Sequence, residues 1–160
     1  MSVEKVRSYL EPFGFADRIM EFSVSSATVE LAAQAVGVEG ARIAKTLSLH
    51  DGDSGCMLIV AAGDARINNR RFKDTFLQKA RMLSHDEALE FTGHAVGGVC
   101  PFALPESVKV YLDSSLKRFD TVYPAAGSAA SAVKLTPEEL FVCSRALAWV
   151  DVCALPEEQA

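Results

Sequence analysis

The sequence predicts a single α+β domain, and three observations carry that prediction. Helical and strand-like segments mix without the regular strand-then-helix alternation of a doubly wound parallel sheet. Several strands are joined by short turns, and a length of 160 residues is enough to bury one real core. A hydrophobic share of 49% with 23% charged residues fits an ordinary globule rather than a disordered or membrane-embedded chain. There is no repeat, linker or low-complexity stretch. Residues 1–155 read as the domain and 156–160 as a loose tail.

The elements follow from local chemistry. Residues 3–11 form a first helix stopped by Pro12 and Gly14, and 19–24 a short strand. Serines and Thr28 open a second helix, 29–36, which Gly37 caps. Residues 43–50 and 56–62 flank Asp51-Gly52-Asp53-Ser54-Gly55, a strong hairpin signal. A basic helix is expected over 69–80. Ser84-His85-Asp86-Glu87 is a capping box that starts a helix ending at Gly93. Short strands are expected at 108–113, 121–125 and 132–135. Thr136-Pro137-Glu138-Glu139 combines an N-cap, a first-turn proline and a reciprocal glutamate, opening a last helix over 137–148.

Composition excludes several functions. The four cysteines, Cys56, Cys100, Cys143 and Cys153, are scattered without a Cys-x-x-Cys pair or a histidine at ligand spacing, so neither a zinc site nor a disulfide framework is signalled. Buried free thiols are expected. No apolar run approaches the roughly 20 residues that span a bilayer, and the charged, amphipathic start does not read as a signal peptide. A cytoplasmic location and no membrane partner are expected. The net charge of −5 argues against a protein that coats DNA by bulk electrostatics. Residues 65–81, however, hold six bases (Arg66, Arg70, Arg71, Lys73, Lys79, Arg81) against the one acid Asp74. That stretch is either a solvated helix face or a phosphate-contacting patch.

Two features carry chemistry. Thr92-Gly93-His94-Ala95-Val96-Gly97-Gly98-Val99-Cys100-Pro101-Phe102 sets paired glycines before a proline inside apolar sequence. Such a loop either displays amides to an oxyanion or ribose, or simply makes a tight turn. The second is Lys45. Strand alternation puts it on one face with Ile43, Leu47 and Leu49, opposite Ala44, Thr46, Ser48 and His50. A lysine on an apolar face snorkels to the rim, frays at a strand end, or serves an anionic ligand or a reaction. Asp113, at the end of a strand, is open to pairing with Lys45, orienting a loop amide or capping a turn. His94 suits either an adenosine contact or an exposed loop. Thr28 and Phe102 are pocket wall or core. Cys100 with His94 would allow a thiol nucleophile, but nearness in sequence is weak support for that.

Lys45-Thr46-Leu47, the Thr92-Gly93-x-x-x-Gly97-Gly98-x-x-Pro101 loop, Asp113 in Val110-Tyr111-Leu112-Asp113, and Tyr123-Pro124-Ala125-Ala126-Gly127 together resemble the YbaK/ProX-type aminoacyl-tRNA deacylases. These are free-standing relatives of the editing domain of bacterial prolyl-tRNA synthetases. The resemblance spans about residues 21–151. It implies a curved mixed sheet, partly closed like a barrel, with helices around it. It further implies a trans-editing hydrolase that clears a wrong amino acid from tRNA with no metal or other cofactor. The partner would be the acceptor end of an aminoacyl-tRNA, with a synthetase as a further partner the resemblance allows.

Carried over by position, Lys45, Gly97 and Gly98 would be catalytic. Thr28, Thr46, His94, Val99, Cys100, Pro101, Phe102, Asp113, Ala125, Gly127 and Ala132 would surround the substrate, and Arg66, Arg70, Arg71 and Lys73 would meet the tRNA. In the family a ribose hydroxyl is thought to help activate the water. Ala125 and Ala132 stand where the best-known members carry a serine and an acidic or imidazole side chain. The implied wall is smaller and more apolar, so the amino acid is not transferred, and a binding module without turnover is the alternative.

Overall fold

A computed structural model describes residues 2–95 and 97–159 of the chain; Val96, inside the glycine loop, lies outside them. In order, the elements are α1 (Ser2–Leu10), β1 (Ile19–Glu21), α2 (Val29–Val36), β2 (Ile43–Asp51), β3 (Gly55–Ala62), β4 (Arg66–Ile67), α3 (Asn69–Phe76), α4 (His85–Thr92), β5 (Lys109–Asp113), β6 (Tyr123–Pro124), β7 (Ser131–Val133), α5 (Pro137–Cys143), β8 (Ala148–Val150) and β9 (Cys153–Ala154). The main sheet has five strands in the order β6-β2-β3-β5-β8 and curls into a half-barrel. Only β2 and β3 pair antiparallel in it; β6, β5 and β8 each run parallel to a neighbour. Two small antiparallel ribbons pair β1 with β7 and β4 with β9. This is the mixed α+β architecture expected.

The hairpin forms the centre. Lys45 pairs with Ala61 and Thr46 with Val60, and β3 is buried from Cys56 to Ala62. A strand covered on both faces reads as a continuous apolar run, as Cys56-Met57-Leu58-Ile59-Val60 does. Helix α1 presents Val6 and Leu10 to this core, four residues apart on one face. No helix among the described residues is long and apolar enough to cross a membrane.

Several boundaries move. The basic helix stops at Phe76, not at residue 80, because Leu77 turns left-handed (φ 58°) and its N–H closes on the Lys73 carbonyl. The last helix stops at Cys143, not at 148. Arg145 turns left-handed (φ 57°), the Leu147 N–H reaches the Val110 carbonyl at 2.8 Å, and residues 148–150 become the edge strand β8 beside β5. The apolar spacing of that segment suits a helix, but an open sheet edge supplied backbone partners that helix continuation did not. The strand expected over 19–24 shortens to Ile19–Glu21, that over 121–125 to Tyr123–Pro124, and that over 132–135 becomes Ser131–Val133. Beyond Leu155 the chain makes a 3-10 turn, Pro156–Glu158, whose glutamate meets Arg71 at 2.7 Å.

Candidate active site

A cleft of about 290 Å³ opens between α2, the first half of β2, the segment 82–85 that leads into α4, and the 125–132 turn. Of the residues singled out from sequence, Thr28, Lys45, Thr46, Gly97, Val99, Ala125 and Ala132 line it together. They come from five separate stretches of chain. Short apolar side chains, Ala27, Val29, Ala32, Ala44 and Ala88, make up part of the remaining wall.

Lys45 is half-buried and held by an unusual pair of acceptors. Its Nζ donates to the carbonyls of Gly63, at 3.3 Å, and of Ala65. Neither is a carboxylate. An ammonium has three N–H groups, so one remains for a ligand. Burial holds the Lys45 pKa below its ordinary value, offset in part by Cys153, Asp64 and Glu30 and reinforced by Arg66. The nearby acid is occupied. Asp64, between the two carbonyl acceptors in sequence, receives the Arg118 guanidinium in a fork at 2.6 and 3.1 Å. That pairing lowers the Asp64 pKa.

Thr46 adds a second open group. Its Oγ1 is buried without a hydrogen-bond partner among the described residues, a condition rare in native interiors. Thr28 Oγ1 accepts the Leu31 N–H as the N-cap of α2, so it reaches the cleft already committed to its helix.

The glycine loop sits differently from expectation. Gly97 has φ 82°, and a Cβ there would lie 2.9 Å from the Ala129 Cβ. At Gly98 a Cβ would lie 2.7 Å from the Ser128 Cα. The pair therefore lets the loop press against the 127–129 backbone. The Gly98 N–H is bonded to the Ala95 carbonyl at 2.9 Å, so Gly98 is corrected from oxyanion donor to packing residue. Gly98, Cys100, Pro101, Phe102 and Gly127 are buried behind the cleft wall rather than in it.

His94 is corrected too. It is fully buried, and its Nε2 donates to the Phe102 carbonyl at 2.8 Å. That bond fixes the neutral tautomer with Nδ1 unprotonated and without a partner. Burial lowers its pKa, against the opposing bond to Phe102. Cys100 Sγ is 3.6 Å from Nε2, but burial pushes its thiol up to about 12, the reverse of an activated nucleophile. Asp113 is a turn cap: Oδ1 accepts the Val152 and Cys153 amides at 2.9 and 3.1 Å, and Oδ2 accepts the Ser115 amide at 3.0 Å. Arg71 is held by the Cys153 carbonyl at 2.6 Å and by Glu158, whereas Arg66, Arg70 and Lys73 are exposed.

Three features of the cleft escaped sequence reasoning. Ser131 Oγ accepts the Ala126 and Ser128 amides at 3.2 Å each, and the Ser131 N–H donates to Ser26 Oγ at 3.1 Å, so two serines shape the 125–131 turn. A serine closing a Gly-Ser-Ala-Ala-Ser run is a side-chain-to-backbone turn signal that was available. Met82, Ser84 and His85 bound the cleft beside α4, and Tyr123 flanks it at β6. The carbonyls that hold Lys45 carry no sequence signal at all.

The sequence model of the aminoacyl-tRNA editing domain matches residues 24–142, which include every residue lining the cleft. The chain belongs to that family. Among the relatives of this editing domain, YwhH of Bacillus subtilis (strain 168), an uncharacterized protein, is 52% identical over 153 residues, 96% of this chain and 98% of its own. EbsC of Enterococcus faecalis (strain ATCC 700802 / V583), named as a candidate Cys-tRNA(Pro)/Cys-tRNA(Cys) deacylase, is 25% identical over 114 residues, 71% of this chain and 70% of its own. A crystal structure of a candidate trans-editing enzyme for prolyl tRNA synthetase superposes with a TM-score of 0.85 at 30% identity, covering 96% of this chain and 97% of that one. Among the described residues, no three His, Cys, Asp or Glu side chains cluster as metal ligands would.

Proposed function

We propose that this editing domain is a trans-editing hydrolase that frees a small, wrongly attached amino acid from tRNA. The observation that carries the reading is Lys45, a half-buried cation on the cleft wall whose partners are carbonyls, with an N–H to spare. The trans-editing and deacylase names of the relatives support it.

In the proposed reaction water attacks the aminoacyl carbonyl carbon, negative charge grows on the carbonyl oxygen, and the ester C–O bond breaks to release the ribose hydroxyl and the free amino acid. Lys45 faces the developing oxyanion or the terminal phosphate. Gly97 and Val99, the loop residues in the cleft, lie along the acyl group, and the neighbouring ribose hydroxyl orients the water. The short side chains of Ala32, Ala88, Ala125 and Ala132 leave space for a small acyl group and reject a larger one by overlap. Arg66, Arg70 and Lys73 supply the phosphate-contacting charge, so the acceptor end is the partner and the cytoplasm the place of action.

The test is deacylation of tRNAs individually mischarged with Ala, Ser, Thr, Cys and Pro. The wild type is expected to hydrolyse one or two. Lys45→Ala is expected to lose about 100-fold or more in rate with its circular dichroism unchanged. Binding without turnover across the panel would replace the hydrolase with a tRNA-end binding module. A Lys45→Ala rate within about twofold of wild type would remove the lysine from the chemistry.

A further inference from the structure

We propose that Arg118 is a positioning residue that keeps Lys45 unpaired, by holding the Asp64 carboxylate away from the ammonium. The proposal rests on the hydrolase reading for its rate measurement, but not for its second measurement.

The geometry is specific. Asp64 sits between Gly63 and Ala65, the residues whose carbonyls accept from Lys45 Nζ. Its carboxylate is therefore the acid placed to capture that ammonium. Instead both carboxylate oxygens are taken by one guanidinium, Nη2 to Oδ1 at 2.6 Å and Nη1 to Oδ2 at 3.1 Å. A planar fork matches a carboxylate in a way a lysine ammonium does not. Arg118 is itself aimed: Nε donates to the Ser115 carbonyl at 2.9 Å, and the guanidinium lies over the Phe119 ring with its carbon 4.8 Å from the centroid. The loop backbone is held from the other side by Gln159, whose Nε2 donates to the Asp64 carbonyl at 3.1 Å. The arrangement separates two opposite charges that sequence proximity alone would join. The other charged or titratable groups near Lys45 are Glu30 on α2, Arg66 on β4 and Cys153 on β9.

The consequence is chemical. A lysine already paired to a carboxylate has its charge neutralised and its remaining N–H occupied, so it stabilises a growing oxyanion poorly. Loss of Arg118 frees Asp64 to make that pair. Removing the carboxylate as well then undoes the damage, a rescue that a purely structural role for the ion pair does not predict.

The experiment compares wild type, Arg118→Ala, Asp64→Asn and the double variant. On the tRNA that the wild type hydrolyses, kcat/KM should fall about 10-fold or more in Arg118→Ala and return to within about threefold of wild type in the double variant. The second readout is the Lys45 titration followed by NMR of the Nζ-bound methylene, with Lys45→Arg identifying the signal. Its midpoint should rise by about 1 pH unit in Arg118→Ala and fall back in the double variant. An unmoved midpoint overturns the proposal, whether or not the protein turns over tRNA. A double variant no faster than Arg118→Ala overturns it as well. If the wild type hydrolyses no tRNA, the hydrolase reading falls, while the titration still decides the Arg118 assignment. Arg118→Lys, which cannot fork, should sit between Arg118→Ala and wild type in both readouts.

Discussion

Two regions of this editing domain invited the same functional reading and turned out to be built on opposite principles. The Lys45 strand and the 93–102 loop each pair unusual residues with apolar sequence. At Lys45 the surroundings leave polar capacity open: an ammonium on neutral carbonyls and a buried Thr46 hydroxyl without a partner. In the loop the same kinds of group are mostly spent. The Gly98 amide closes a turn on Ala95, the His94 ring closes on Phe102, and the Cys100 thiol is buried. The lesson is that a residue's partners, not its type, decide whether it is available for chemistry.

The sharpest way to break this contrast is to exchange the properties being measured. Lys45→Met should abolish most turnover, on the order of the 100-fold loss expected for alanine, while leaving the urea midpoint unchanged or higher, because it removes a half-buried charge. A comparable fall in stability would make Lys45 scaffold. Gly98→Ala should do the converse. Its Cβ would meet the Ser128 Cα and N at 2.7 and 2.8 Å, backbone that cannot swing aside, so unfolding free energy should drop by about 1–3 kcal/mol. Activity per folded molecule should change far less than at Lys45.

Acid titration separates the regions more gently. Burial lowers the His94 pKa, so between the unfolded value near 6.5 and the lower folded value the unfolded chain binds the extra proton. Stability is therefore complete above about pH 6.5 and declines as pH falls below it, until the folded value is passed. Replacing His94 with Gln should flatten that part of a pH series of urea midpoints. At Lys45 the sign is the same with a different window: the folded pKa lies below the ordinary value near 10.4, so stability should rise as alkaline pH passes through the folded value. The smallest expected effect lies on the surface. Removing Arg70 and Lys73 together should weaken tRNA binding and lower the slope of log affinity against log salt by about 2, whereas Arg71→Ala should lower the melting temperature and leave the slope alone.

Sequence by itself determined the elements whose signals are local. The capping boxes at Ser84 and Thr136, the N-cap at Thr28 and the hairpin between β2 and β3 form where turn and cap chemistry placed them. The hairpin signal put Lys45 and Thr46 on a paired strand, and seven of the residues taken from motifs meet in one cleft. The tertiary structure decided what local chemistry left degenerate. Residues 148–150 suit a helix or a strand equally, and only the open edge of β5 chose. Local sequence leaves His94 between an adenosine contact and an exposed loop, and the approach of Phe102 buries it instead. The partners of Lys45 are backbone carbonyls eighteen and twenty residues away, and the acid kept from it is held by an arginine more than fifty residues on. Backbone groups are common to every residue, so no residue type announces them. Their positions follow from packing alone.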